Sequence, residues 1–255
     1  MLGRMPAHPR PRLWSATRGL ALAAATMVLA GCGGSAGIAP PTGVDELQIP
    51  TASPEPRDFV ATIDNPWLPL RPGSRWTYDI ASGAPSPRPV SAVVEVLAEP
   101  AVVAGVTTTQ VLSVVTDDRG ATLRRELASY AQDARGNVWL FGRRVESPTG
   151  VVSWRAGEGG AQAGLAMAAH PRVGDGYEVA AAPGIDEQHA HVITLAATQL
   201  VGNESHDDLL VIDTGSSLDG STGRQWFADG TGLLLADLST GSVTEQWTLT
   251  AHRPG

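Results

Sequence analysis

Apolar and polar positions alternate in short runs along most of the chain. In Ser74-Arg-Trp-Thr-Tyr-Asp-Ile80 the alternation sets Trp76, Tyr78 and Ile80 on one face, which predicts a half-buried strand. Val90–Leu97 and Val106–Val115 are rich in β-branched residues, and Asp118-Arg-Gly120 supplies a turn before a strand over Ala121–Asp133. Asp133-Ala-Arg-Gly-Asn137 turns the chain into Val138–Phe141. Further strands are predicted over Val151–Trp154, Tyr177–Ala181, His189–Val201, Leu209–Asp213, Arg224–Ala228, Leu233–Leu238 and Ser242–Thr250. Turn residues recur between them at intervals of roughly 8–15 residues, the rhythm of an all-β sandwich or barrel. Only Arg124–Ser129 competes as a helix, and Gly157–Pro171 reads as a long loop with one helical turn near Leu165–Ala169. The fold class expected is mainly β: a single antiparallel domain, curved or barrel-like, over residues 58–252.

The first 57 residues follow a different pattern. Arg4, Arg10, Arg12 and Arg18 precede the apolar run Gly19–Ala30, and no acid occurs before Asp45. A basic start and an apolar stretch of this length form a secretory signal. The run falls short of the roughly 20 apolar residues of a membrane-spanning helix. It ends in Leu29-Ala-Gly-Cys32, which resembles the lipobox of bacterial lipoproteins and uses the chain's one Cys. The resemblance implies cleavage before Cys32 and acylation of that residue with palmitate-type chains. The plain alternative is a buried structural Cys. Several acyl chains, at about 0.8 kcal/mol per buried CH₂, anchor a protein stably. The organisation expected is therefore a signal peptide over 1–31, a flexible Gly/Pro/Ser tether over 32–57, and the β domain. The expected location is the extracytoplasmic face of the cell membrane.

Composition narrows the function. All 18 basic residues are Arg, against 26 acids, for a net charge of −8. Four of those Arg and none of the acids precede Cys32, so residues 32–255 carry −12. No basic face is available for phosphates, and nucleic acid is not an expected partner. A single Cys excludes a disulfide framework and a Cys-based zinc site. The membrane is expected as a partner through the lipid anchor alone, because −12 repels anionic lipid.

Four segments extend the resemblance. They are Ile63–Tyr78 (IDNPWLPLRPGSRWTY), Tyr130–Gly142 (YAQDARGNVWLFG), Ala169–Tyr177 (AHPRVGDGY) and Trp226–Leu235 (WFADGTGLLL). Together they resemble a family of uncharacterised secreted lipoproteins from bacteria with GC-rich genomes, a family that implies no reaction. In some relatives a Cys pair at the positions of Thr108 and Leu209 implies that their strands are neighbours. The residues of the first segment also speak for themselves. Pro66, Pro69 and Pro72 fix φ and remove donors. Asn65–Gly73 is then an ordered extended lead-in, with Trp67 and Leu68 packed as a plug against the first strand or, alternatively, shaped as a recognition loop.

Three constellations suggest chemistry. Leu210-Val-Ile-Asp-Thr-Gly-Ser-Ser217 resembles the active-site loop of aspartic proteases, which needs two carboxylates sharing one proton. This chain has one such string, so a hydrolase built on Asp213 would need a second copy; the plain reading ends a strand at Asp213 and turns through Thr-Gly-Ser-Ser. Glu187, His189 and His191 alternate and share one strand face, where they could bind zinc or copper with help from His206, Asp207 or Asp208. The plain reading there is an exposed polar face. Asp117-Asp118 and Asp207-Asp208 lack the spacing of a calcium loop. Phosphate-loop and dinucleotide motifs are absent, and Asn203-Glu-Ser205 is a sequon without meaning in a bacterial lipoprotein. The sequence thus points away from an enzyme, with no catalytic residue and no cofactor assigned. The leading expectation is a lipoprotein that binds a hydrophobic small molecule or an envelope protein. The alternatives are a metal binder on Glu187, His189 and His191, and an aspartic-type hydrolase on Asp213.

Overall fold

The computed structural model describes residues 55–83 and 90–255, all within one compact unit. The signal segment, Cys32 and most of the tether lie outside the described residues. Glu55 leads into a 3₁₀ turn, Pro56–Asp58, and fifteen strands follow. They are β1 Phe59–Val60, β2 Arg75–Ser82, β3 Val90–Val96, β4 Ala101–Val103, β5 Val106–Asp117, β6 Thr122–Asp133, β7 Val138–Ser147 and β8 Gly150–Arg155. The second half holds β9 Gly164–Met167, β10 Gly176–Ala182, β11 Asp186–Val201, β12 Glu204–Ser216, β13 Thr222–Ala228, β14 Gly232–Thr240 and β15 Val243–Arg253.

Every ladder is antiparallel, in the spatial order β10-β11-β12-β13-β14-β15-β2-β3-β5-β6-β7-β8. The C-terminal β15 pairs with β2, placing Trp247 opposite Ile80 and His252 opposite Trp76. Both halves of the chain are thereby joined into one continuous sheet. That sheet curls into a nearly closed barrel. β9 pairs with β7 through Trp139↔Leu165, and on its other side Gln162 makes a single backbone bridge to Ala181 of β10. The seam at β9 demands glycine at one position. A Cβ on Gly164 would run into the Val179 carbonyl of β10, so only glycine lets the two backbones approach there.

This seam corrects the expectation of a helical turn at Leu165–Ala169. Gly164-Leu-Ala-Met167 holds no β-branched residue, so it carries no strand signal in the sequence. Arg124–Ser129, which competes as a helix in the sequence, lies within the strand expected there, held by ladders to β5 on one side and β7 on the other. Tertiary pairing overrides local propensity here.

Alternation decides what faces inward. Trp76, Tyr78 and Ile80 are buried while Asp79 and Ala81 between and beyond them are exposed. The main core adds Ala92, Val96, Val111, Val115, Val138, Phe141, Val192, Leu210 and Ile212 from strands around the whole barrel. A smaller apolar cluster of Val201, Leu209, Leu234 and Leu235 lies where the long β11–β12 hairpin meets β14. Thr108 and Leu209, expected on neighbouring strands, sit on β5 and β12, which share no ladder. Thr108 instead pairs with Ala101 of β4, and its hydroxyl donates to the Ala101 carbonyl at 2.9 Å.

Candidate functional site

One end of the barrel is closed by the Pro-rich lead-in. Asn65, only 2% exposed, organises it. Its side-chain amide donates to the carbonyls of Gly136 and Ala168, and its Oδ1 accepts the backbone N–H of Trp67 and Leu68. Gln132 Oε1 accepts the N–H of both Asp64 and Asn65, and the Gly230 N–H donates to the Pro66 carbonyl. Asp133 ties down the next turn, accepting the N–H of Arg135 and Asn137 and the indole N–H of Trp139. Asn137 Oδ1 then accepts from Ala169 N–H. All four segments that carry the family resemblance therefore meet at this end. Trp67 and Leu68 pack against the core, in the place the plug reading gave them.

The other end stays open among the described residues and leads into the interior. Two connected hollows share Val94, Val111, Tyr130, Arg143, Thr214 and Trp247 in their walls. The deeper one has a volume of about 280 Å³ and is walled by Leu68, Leu70, Trp76, Tyr78, Met167 and Phe227, among others. Tyr78 and Trp76 are held there by donating to the backbone carbonyls of Leu233 and Thr231. The outer hollow, about 370 Å³, is lined more by polar groups, including Ser113, Arg124, Glu126, Ser221, Thr222 and Thr240. Around the mouth, hairpin tips expose Leu123, Val151, Ile185, Leu218 and Val243.

The charges on the wall are mostly committed to one another. Arg143 makes a two-pronged ion pair with Asp186 (2.6 and 2.7 Å) and faces Glu126 at 3.9 Å. Trp154 Nε1 donates to the same Asp186 carboxylate at 2.6 Å. Burial alone would lower the Arg143 pKa; the carboxylates of Glu126 and Asp186 outweigh it and hold the guanidinium above its ordinary value. Burial, reinforced by Glu126, pushes the Tyr130 hydroxyl well above the ordinary tyrosine range, so it is a neutral group on the wall. Arg124 differs from Arg143. Its guanidinium lies 5.3 Å from the ring centroid of Trp247, and among the described residues it makes no ion pair. Arg124, Tyr130 and Arg143 bore no recognisable motif; the signal available was the inward parity of 124, 126, 128 and 130 on β6.

The residues singled out for chemistry lie outside the barrel. His189 and His191 are exposed on β11, between the inward-facing Ala190 and Val192. His189 lies against the Gly215 backbone, and Glu187 accepts the Gly184 N–H at 2.7 Å at the hairpin corner. Among the described residues no group of three His, Cys, Asp or Glu side chains is placed to hold a metal ion. His206 lies 4.0 Å from Glu204, and Asp207 accepts from Thr198. Asp213 does not end its strand: β12 runs on to Ser216, and the turn falls at Ser217–Ser221. In place of a second carboxylate, Asp213 meets Arg224 in a two-pronged ion pair at 2.6 and 2.7 Å. The hydrogen bonds from Arg224 hold its carboxyl below the usual range, the reverse of what a shared-proton dyad requires.

A nearly closed antiparallel barrel with an interior hollow open at one end is thus the class of structure this chain forms. No protein-family model matches the chain, and no curated protein matches it. Three solved structures are similar to it. One is a candidate exported protein with a YmcC-like fold from Bacteroides fragilis, at 10% identity and a TM-score of 0.41, over 74% of this chain and 99% of that one. A candidate lipoprotein from Parabacteroides distasonis is similar at 10% identity and 0.40, over 73% and 98%. A β-barrel-like protein of a domain of unknown function from Brucella abortus is similar at 12% and 0.39, over 72% and 98%.

Proposed function

We propose that this protein is a non-enzymatic, extracytoplasmic lipoprotein, anchored at Cys32, whose barrel interior binds an apolar small molecule. The observation that carries the reading is the deep hollow of about 280 Å³, walled by aromatic and aliphatic side chains. Ligand cavities are concave, mainly apolar and hold a few placed polar groups, at volumes of roughly 300–1,000 Å³. The commitment of Asp213 to Arg224 supports the same reading, since it leaves that carboxylate no role as a proton carrier.

Native mass spectrometry of the full chain, purified without chelator, tests this reading. The expected result is a bound lipid-like mass that disappears in Val94→Trp, a substitution that fills the junction of the two hollows. A bare chain, or a bound mass that survives in Val94→Trp, would overturn it. A bare chain would turn attention to an envelope protein as partner, and a bound metal lost in His189→Ala would revive the metal reading.

A further inference from the structure

Resting on that reading, we infer that the ligand is a single-chain amphiphile with an anionic head, its tail in the deep hollow and its head held by Arg124. The wall changes chemistry along the barrel axis. Beside the plug it is aromatic and aliphatic; midway it presents the side-chain amides of Gln188 and Gln225 and the Thr214 hydroxyl; at the mouth it presents hydroxyls and Arg124. Such a gradient matches a molecule that is apolar at one end and polar at the other. The deep hollow, about 280 Å³, lies at the small end of ligand cavities and suits one chain better than two.

The sign of the head follows from the charges. The ionisable groups lining the outer hollow are Arg124, Glu126, Arg143 and Tyr130, and Asp186 stands behind Arg143. Glu126 and Asp186 both face Arg143, and Tyr130 is neutral. Arg124 is left as the cation of the mouth without a carboxylate partner among the described residues, in a chain of net charge −8. Its stacking on Trp247 orients the guanidinium without neutralising it. A planar guanidinium whose N–H groups are not taken up by a carboxylate is a two-pronged receptor for a carboxylate or a phosphate. The shared chemistry is an anionic oxygen fork on one alkyl chain.

Three probes of equal chain length separate the possibilities: dodecanoate, dodecyl phosphate and dodecanol. Each is titrated calorimetrically into the full chain and its Arg124→Gln and Arg124→Lys variants, below the concentration at which the probe aggregates. At least one anion should bind the wild type roughly tenfold or more tighter than dodecanol, and the tighter anion names the head group. Arg124→Gln should reduce that anion to the level of dodecanol and leave dodecanol unchanged; Arg124→Lys should keep most of the preference. An anion preference that survives in Arg124→Gln, or a wild type that binds all three alike, would overturn the inference while leaving the apolar-cavity reading intact. Failure of dodecanol and both anions to bind would overturn the reading beneath it.

Discussion

The two ends of the barrel are built on opposite principles. At the closed end, two buried polar side chains are saturated, although the buried Tyr177 hydroxyl is not: Asn65 makes two side-chain donations and accepts two backbone N–H groups, and Asp133 accepts four hydrogen bonds. At the open end, the lumen-facing Arg124 lies against Trp247 and makes no ion pair among the described residues, so it is left for something else to satisfy. A buried polar group costs stability unless paired, so saturation marks the end that holds the fold together. The unsaturated end marks where a ligand can supply what the chain does not. One cluster breaks the symmetry. Arg143, Asp186 and Trp154 form a saturated network close to the mouth, and it lies on the seam between β7, β8 and the β10–β11 hairpin. Where the backbone ladder thins to one bridge, a buried ion pair takes over.

That contrast can be broken in graded steps. The largest effect is expected at the seam, where Asp186→Ala strands the Arg143 guanidinium and the Trp154 N–H together. Breaking a buried pair from one side costs roughly 3–5 kcal/mol, to be read from urea unfolding. At the closed end, Asn65→Ala leaves two carbonyls and the Trp67 N–H without partners, at a cost of roughly 3 kcal/mol. Asp213→Asn removes a half-exposed pair on the outer face and should cost less than about 1 kcal/mol. Because the Asp213 pKa is depressed in the fold, its contribution is present above the ordinary carboxyl range and is lost as pH falls through the lowered value. A flat acid limb in Asp213→Asn relative to wild type checks the sign. His252, stacked on Trp76 at 5.0 Å, is held by burial below its ordinary value of 6.5. It is kept neutral in the fold, so the stability it contributes is complete above 6.5 and declines as pH falls through the depressed value. His252→Phe should remove that decline. Smallest of all, Arg124→Gln should leave stability within about 0.5 kcal/mol while changing what the mouth recognises.

Legibility in the sequence divided along the same line. Period-two alternation revealed β2 with its Trp76, Tyr78 and Ile80 face, because one side of that strand meets the core and the other meets water. The closed end was legible in pieces, since its turns and prolines leave local signatures, yet nothing local says that Asn65, Asn137 and Gly230 meet. β9 was illegible because it is four residues long, opens on a Gly required by the approach of the Val179 carbonyl, and contains no β-branched residue. The continuation of β12 past Asp213 was hidden by Thr-Gly-Ser, which reads as a turn until ladders to β11 and β13 hold it extended. Motif reading drew attention to Glu187, His189, His191 and Asp213, which are outward-facing. The hollow is made by residues from many strands, each ordinary in its own context, so it exists only once the sheet has curled.

The most direct test of the account is a titration of the full chain with N-phenyl-1-naphthylamine, a neutral probe whose fluorescence rises in apolar surroundings. It predicts saturable binding of one probe per chain, abolished in Val94→Trp and retained in Asp213→Asn. Probe binding that is absent in the wild type, or unchanged when the lumen is filled by Val94→Trp, would contradict the claim that the barrel interior is a binding site.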